Sequence, residues 1–561
     1  MKLRAQKPGR VAVVGAMAGI LMVAGSAWGQ ALPTDWSNRH LLHQHGVETS
    51  KAEAGRSGVT NDPRRFAVSL KFKAPIRNPV LPRRVLNPGV GKVDWNVSLG
   101  SGTLAEGAFP AKYSFDPSVA ESCTNDWVLY GTNVAGSQTV PNVVAYTNVY
   151  PSPVCSGTVP TLKFAYYVAG PITTSPVISL DGTKIAFVEG AYNGAHAKLH
   201  VVSTLGAGSL AAPVAPPGDT SIDLGSSDTL SSPFVDYVND IAYVGADDGY
   251  LYKITGVFSG TPTAAGAPWP VQLSPLLKSY GTYAFLTSPV LYTPTGSGMG
   301  VVLVAGNFLA SIAPETVYST LFSVDANTGA QTRAIQVGGA SVSDGPLVDL
   351  TNNVAYLFSG NSTTTYPGSG PAAVEQVALN YSGGTFSFGA VTQALIGGVA
   401  SGGKFEGLST IHSGAFDNGW YTSPTGAGYL LACGTGSTTA VPTLYSFQVS
   451  GSTLTTTAAG STPVSSSVTD FCSPITEAYD GSTDRFFIGT QKNGVTCGNT
   501  GCIQSFTLSS GVPQIPAGQT ENGGTSAIVV DPGTGSQTYI YFTTLSNSGN
   551  PAIQLSQQNL Q

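Results

Sequence analysis

Asp181, Asp236, Asp349 and Asp531 stand at matching places, each a few residues into or beyond a short apolar run. Glycoside hydrolysis needs two carboxylates facing each other across a cleft, and acyl transfer needs a nucleophile beside a base. Carboxylates that recur once per repeating unit point instead to a structural role, capping a turn. Glu406, His412 and Asp417 break this regularity. They lie near an irregular insertion, where function is commonly grafted onto a scaffold, and are the binding-loop candidates; no catalytic residue is assigned. His196 and His200 read as ordinary strand or loop histidines. Trp95, Trp127, Trp269 and Trp420 sit in or beside strands and read as packing residues rather than sugar platforms.

Three patterns invite a metal. His40, His43 and His45 form HxxHxH, which supplies three imidazoles but no rigid scaffold to hold them. Asp325-Ala326-Asn327-Thr328-Gly329 shares D-x-N-x-G with calcium loops, and Asp247-Asp248-Gly249 clusters carboxylates. Neither carries a glutamate at the twelfth loop position, and both are what a β-hairpin turn needs. We expect no metal and no cofactor.

The elements that hold these residues repeat. Ser-Pro-hydrophobic-x-Asp, then an apolar strand and a Gly/Asp turn, recurs about every 57 residues. The clearest copy is Ser232-Pro233-Phe234-Val235-Asp236, Ile241 to Gly245, and Asp247 to Tyr252. Anchors fall at Pro117, Pro176, Pro233, Pro289, Pro346, Phe416, Pro474 and Ala527. Such a unit cannot bury its own apolar face and must stack on copies of itself. Four strands per unit closed into a ring make an all-β propeller, with eight blades expected and seven as the fallback. A helical reading fails on punctuation, because 69 Gly and 37 Pro would break helices almost everywhere. The last unit stops one strand short, while Val93 to Leu99 resembles an extra fourth strand. Pairing the two would close the ring and remove two edges.

Ahead of the propeller (93–561) lie two further segments. Lys2, Arg4, Lys7 and Arg10 precede an apolar run from Val11 to Gly25 with small residues at Ala27 and Gly29. This predicts a secretory signal peptide over 1–29, and a periplasmic or extracellular chain with no membrane span after cleavage. Residues 30–92 carry 11 Lys and Arg against 4 Asp and Glu, and their prolines describe an extended basic arm. The arm reads as a solvated tether, or as a segment docking onto an acidic surface such as its own disc. From Val93 onward the balance is 10 against 27, which argues against nucleic-acid binding.

Six cysteines fit an oxidising compartment. In a propeller, first-to-second and third-to-fourth loops share one rim, and the other loops share the opposite rim. Cys123 and Cys155 fall on the first rim and Cys433, Cys472, Cys497 and Cys502 on the second. Cys123–Cys155 follows by exclusion. The short turn between Cys497 and Cys502 favours their pairing, leaving Cys433–Cys472 to tie neighbouring blades.

The repeat resembles that of pyrroloquinoline-quinone-type propellers. The resemblance rests on residues 231–236, 241–252 and 321–329, the last reading Leu-Phe-Ser-Val-Asp-Ala-Asn-Thr-Gly. It spans most of 94–556 and implies a ring rather than a reaction, since such repeats occur in quinoprotein dehydrogenases and in the non-catalytic outer-membrane assembly lipoprotein of Gram-negative bacteria. The chain departs from the dehydrogenases in having no Cys-Cys and no Trp after Thr328-Gly329. The expected function is therefore a non-catalytic binding or scaffold protein at the cell envelope or exterior. It would be monomeric and hold a protein or polysaccharide at one rim, especially through the Gly360–Gly414 region. A polysaccharide-active enzyme with carboxylates in the channel is the alternative, and a quinone-dependent dehydrogenase a third reading.

Overall fold

The computed structural model describes residues 40–42 and 92–558, apart from 114–120, 226–227, 275–284, 295–297, 299, 313–314, 363–369, 398–410, 424, 436–440, 480–482, 532–536, 547–548 and 550. The described chain forms eight antiparallel sheets, each the blade of a propeller. Blade 3 shows the unit: Phe234–Asp236, Ile241–Gly245, Tyr250–Thr255, and a broken fourth strand at Thr263–Ala264 and Val271–Gln272. Its turns follow from residue type. Asp240 holds a left-handed φ of 55° between the first two strands, and Gly249 one of 80° before the third. A side chain at Gly249 would put its Cβ 1.8 Å from the Ser274 carbonyl, so only glycine closes this turn.

Closure of the ring is the shared blade. Lys92–Val97 pairs antiparallel with Ala552–Gln558, which continues to Gln537–Thr543 and Val529–Asp531. Trp95 donates its indole N–H to the Val149 carbonyl at 2.9 Å, tying the shared blade to blade 1. Below it, Lys112 is fully buried and lies 2.8 Å from Asp531 of blade 8 and 4.0 Å from Asp126 of its own blade. The Tyr150 hydroxyl bonds both carboxylates, at 2.6 and 3.1 Å. Burial pushes Asp126 upward despite the opposing pull of Lys112 and Tyr150.

Two anchors shift. The first blade opens at Ala111–Tyr113, so its anchor is Pro110 and not Pro117, which lies outside the described residues. Phe115-Asp116-Pro117-Ser118 imitates the repeat phrase, whereas the true copy, Phe109-Pro110-Ala111-Lys112, has lost both serine and aspartate. In blade 6 the first strand is Ala415–Phe416, which moves the anchor to Gly414.

All three disulfides pair as the rims require: Cys123–Cys155, Cys433–Cys472 and Cys497–Cys502. The second joins blade 6 to the segment leading into blade 7. Trp95, Trp127, Trp269 and Trp420 are all buried. No helix of the described residues is long and apolar enough to cross a membrane.

Candidate functional site at the channel mouth

The innermost strand of each blade is entered from one rim, and there the repeat serine has a function that links blades. Ser175 Oγ accepts the Phe109 N–H, Ser232 Oγ accepts the Ser175 N–H, and Ser288 Oγ accepts the Ser232 N–H, at 2.9, 2.9 and 2.8 Å. The series ends at blade 5, where the equivalent residue is Gly345.

His40 occupies that place. A Cβ on Gly345 would lie 2.5 Å from the Ser288 carbonyl and 3.3 Å from His40 Cε1. His40 is buried; its Nδ1 lies 3.1 Å from the Pro346 carbonyl, and its own carbonyl accepts the Val348 N–H at 2.7 Å. The following residues, Leu41–Leu42, form a strand parallel to Leu347–Asp349, with Leu41 opposite Val348. Because Leu347–Asp349 is the innermost strand of its blade, this added strand lies on the channel side. At these three residues the basic arm is docked onto the disc rather than solvated as a tether. His43 and His45 fall outside the described residues.

His412 stands beside this contact. Its Nδ1 lies 3.0 Å from Asp344 Oδ1, and the Ser413 N–H donates to Asp344 Oδ2 at 2.6 Å. Burial alone would raise the Asp344 carboxyl, but His412, the Ser413 N–H and the more distant His40 hold it well below the usual carboxylate range. An aspartate-oriented imidazole is half of a nucleophile-activating relay, which requires a hydroxyl within about 3 Å of Nε2. The far edge of this ring is covered instead: a Cβ on Gly107 of blade 1 would lie 2.4 Å from His412 Cε1 and 3.2 Å from Nε2. The geometry suits clamping a segment at the mouth.

The structure does not bring His412 and Asp417 together. His412 precedes the blade 6 inner strand, and Asp417 follows it at the opposite rim. Asp417 accepts the Trp420 N–H at 3.0 Å and the Tyr429 N–H at 2.7 Å, capping the short helix Asn418–Thr422. It stands three residues after Gly414, as Asp236 and Asp349 stand after Pro233 and Pro346. Asp236 takes the Val238 N–H, and Asp349 takes those of Thr351 and Asn352. Asp181 bonds Ser179 and Thr183. Asp531 differs, being held by Lys112 and Tyr150. Glu406 lies outside the described residues, as do 363–369 and 398–410; the rest of the stretch between Gly360 and Gly414 carries the outer blade 5 strands Ala373–Ser382 and Thr385–Leu395.

The turn readings of the acidic loops hold. Asp325 Oδ1 accepts the N–H groups of Asn327 and Thr328 and the Thr328 hydroxyl. Asp247 is packed beside Asp228 and Asp248; burial, then those two charges, push it up to about 7.

Sequence reasoning missed two groups. Glu477 and Asp484 form a carboxyl pair in the wall between blades 6 and 7, where the Asn418 N–H donates to Asp484 at 2.8 Å. Burial and the neighbouring Glu477 raise Asp484, which keeps a proton in the pair. Glu477 stands opposite Phe486 in the inner strand, the place that Lys112 holds opposite Val128 in blade 1. His200, read as an ordinary strand histidine, is buried with Nε2 2.8 Å from Glu189 and Nδ1 3.0 Å from Asp219. Burial opposes its protonation, but the two carboxylates outweigh burial and raise it.

No protein-family model matches the chain, and no curated protein is similar to it in sequence. Among solved structures it is similar to BamB from Moraxella catarrhalis, at 12% identity over 82% of this chain and 97% of that one, with a TM-score of 0.41. It is similar also to Sqt1 from Saccharomyces cerevisiae, at 11% identity over 84% and 99%, TM-score 0.49. A third is the quinohemoprotein alcohol dehydrogenase from Comamonas testosteroni, at 12% over 87% and 79%, TM-score 0.43. At such identities the likeness reaches no further than the fold.

Proposed function

We propose that this protein is a secreted, non-catalytic binding or scaffold propeller of the cell envelope or exterior. The observation that carries the reading is the parallel strand Leu41–Leu42 on the channel side of Leu347–Asp349. An innermost blade edge that takes up an extended segment through its main chain is a peptide-recognition surface by strand addition. The chain's own arm is its resident occupant, and a protein partner in extended conformation would replace it. The three disulfides and the predicted signal peptide support placement in an oxidising compartment.

The alternative readings lack comparable support. The repeat aspartates Asp181, Asp236, Asp349 and Asp417 bond nearby backbone, and Asp531 is paired with Lys112. No pair of them is presented to a substrate as glycoside cleavage requires.

The test uses the full chain and a Leu42→Pro variant, which lacks the arm N–H that faces the Val348 carbonyl in this parallel pairing. Both are titrated with a labelled peptide of residues 36–46 and with a library of extended peptides. The variant should bind the labelled peptide at least tenfold more tightly than the wild type, and library hits should compete with it. Equal, negligible binding by both chains removes the reading. So does turnover of a polysaccharide, or dye reduction restored by quinone and calcium.

A further inference from the structure

A second opening lies on the opposite rim, between blades 4 and 5, and no part of the channel mouth contributes to it. It encloses about 440 Å³ and is lined by Tyr292, Pro294, Asn353, Asn380, Tyr381 and Ser382, with Leu379 at its floor. A volume of this size falls within the usual range of small-ligand pockets.

The lining is chemically specific. Among the described residues it holds no Lys, Arg, His, Asp or Glu that would select a phosphate or a cation. Its titratable groups among the described residues are two phenols, and burial pushes that of Tyr292 up to about 12, so it remains a neutral hydroxyl. That hydroxyl donates to Asn353 Oδ1 at 2.7 Å. The bond fixes the amide of Asn353, an exposed residue in a left-handed turn with φ of 54°. With its oxygen engaged, the Asn353 amide presents N–H donors. Tyr292 is itself held by Phe386, whose ring meets it edge-on at 6.1 Å. The other wall is the end of strand Ala373–Ser382, where Asn380 and Ser382 are exposed and Tyr381 is half-buried. The hairpin then turns through Gly383 and Gly384, and nothing lies within 4 Å of a Cβ placed on either.

Aromatic and proline surfaces beside amides and a hydroxyl, without charge, match a ring that has apolar C–H faces and neutral hydroxyl edges. We infer that the blade 4–blade 5 pocket binds a neutral sugar residue. Tyr381 and Pro294 offer apolar surface to the ring, and Asn353, Asn380 and Ser382 offer hydrogen bonds to its hydroxyls. The inference goes beyond strand addition at the channel and does not depend on it. The protein would then hold a saccharide at one rim and an extended polypeptide at the other.

The test is an array of neutral hexose and N-acetylhexosamine oligosaccharides, probed with the full-length protein and followed by titration of the best glycan. Tyr381→Ala and Asn380→Ala should each weaken binding at least tenfold, and Asn380→Ala, at an exposed residue, should do so at unchanged melting temperature. Leu42→Pro should leave it unchanged. Binding that tolerates both pocket substitutions, binding confined to anionic glycans and abolished by salt, or no binding at all would overturn the proposal. Glycan failure with intact peptide binding removes this site alone, and the reverse result removes only the channel reading.

Discussion

The Ser175 backbone N–H donates to Ser232 Oγ at 2.9 Å, across the boundary between blades 2 and 3. Both residues are buried, so this bond explains why serine precedes proline in the repeat phrase. Proline sets the inner strand's entry and has no N–H to satisfy. The serine N–H before it points at the next blade, and only a hydroxyl there satisfies it. The resulting chain of bonds joins blades 1 to 4 and stops at Gly345, the position where the arm's His40 packs.

Replacing Ser232 by alanine leaves the Ser175 N–H buried without that acceptor. An unsatisfied buried donor costs about 1–3 kcal/mol. Ser232→Ala should therefore lower the unfolding free energy measured in urea by that amount, and Ser288→Ala should act similarly on the Ser232 N–H. If both variants unfold with wild-type midpoints, the bonds between blades contribute nothing to stability.

The seam between blades 8 and 1 depends on a buried charge. Lys112 sits 2.8 Å from Asp531 and cannot reach water. Removing one partner of such a pair typically costs about 3–5 kcal/mol, because the other charge stays buried and uncompensated. Asp531→Asn should accordingly open the seam first. Hydrogen exchange would show faster exchange at Lys92–Val97 and Ala552–Gln558 than at blade 3 strands. Uniform acceleration around the ring would contradict a local role.

Much of this architecture was legible because a repeat betrays itself through residues with one geometric task. Ser232-Pro233 and Asp236 each have a fixed partner, and the rims followed from strand alternation, which ordered the cysteines. Legibility failed where the task passed to another group. Blade 1 has Phe109 and Tyr113 where serine and aspartate stand elsewhere, so the phrase around Pro117 misled. Asp417 looked irregular because blade 6 has Gly414 where proline stands elsewhere, which hid its kinship with Asp236. The strand Leu41–Leu42 left no period, since two residues paired to a distant edge produce no alternation. The Tyr292 pocket is equally invisible, being assembled from turns of two blades.

Glu375 supplies a pH signature. It is fully buried in blade 5, with Ser359 Oγ at 3.1 Å and Gln393 Nε2 at 2.7 Å on one carboxyl oxygen. Burial pushes it up from 4.5 to about 7, only partly opposed by those bonds. The folded chain thus keeps a proton that the unfolded chain releases near pH 4.5. Stability falls as pH rises from about 4.5 to 7 and levels off above, by on the order of 3 kcal/mol for this site. Asp247 and Glu521, also raised to about 7, act in the same direction. Glu375→Gln keeps the acceptor and removes the titration. Its stability should fall less between pH 5 and 8 than that of the wild type; identical pH profiles would show that Glu375 stays charged throughout.

The disulfides differ in the length of chain they close, and this orders their contributions. Cys433–Cys472 spans 39 residues, Cys123–Cys155 spans 32 and Cys497–Cys502 spans 5. Restricting the unfolded chain by loops of these lengths stabilises by about 4, about 4 and about 2 kcal/mol. The first also crosses from blade 6 to blade 7, where Ile475 N–H donates to the Ser413 carbonyl and the channel mouth begins. Replacing Cys433 and Cys472 by serine should therefore cost the most in urea unfolding and also loosen the His412–Asp344 contact. Replacing Cys497 and Cys502 should cost about half as much and leave that contact unchanged. Histidine NMR titration reads the contact directly. An inverted order of midpoints, with the short loop costing most, would show that folded-state packing at Cys497–Cys502 outweighs the entropy of the unfolded chain.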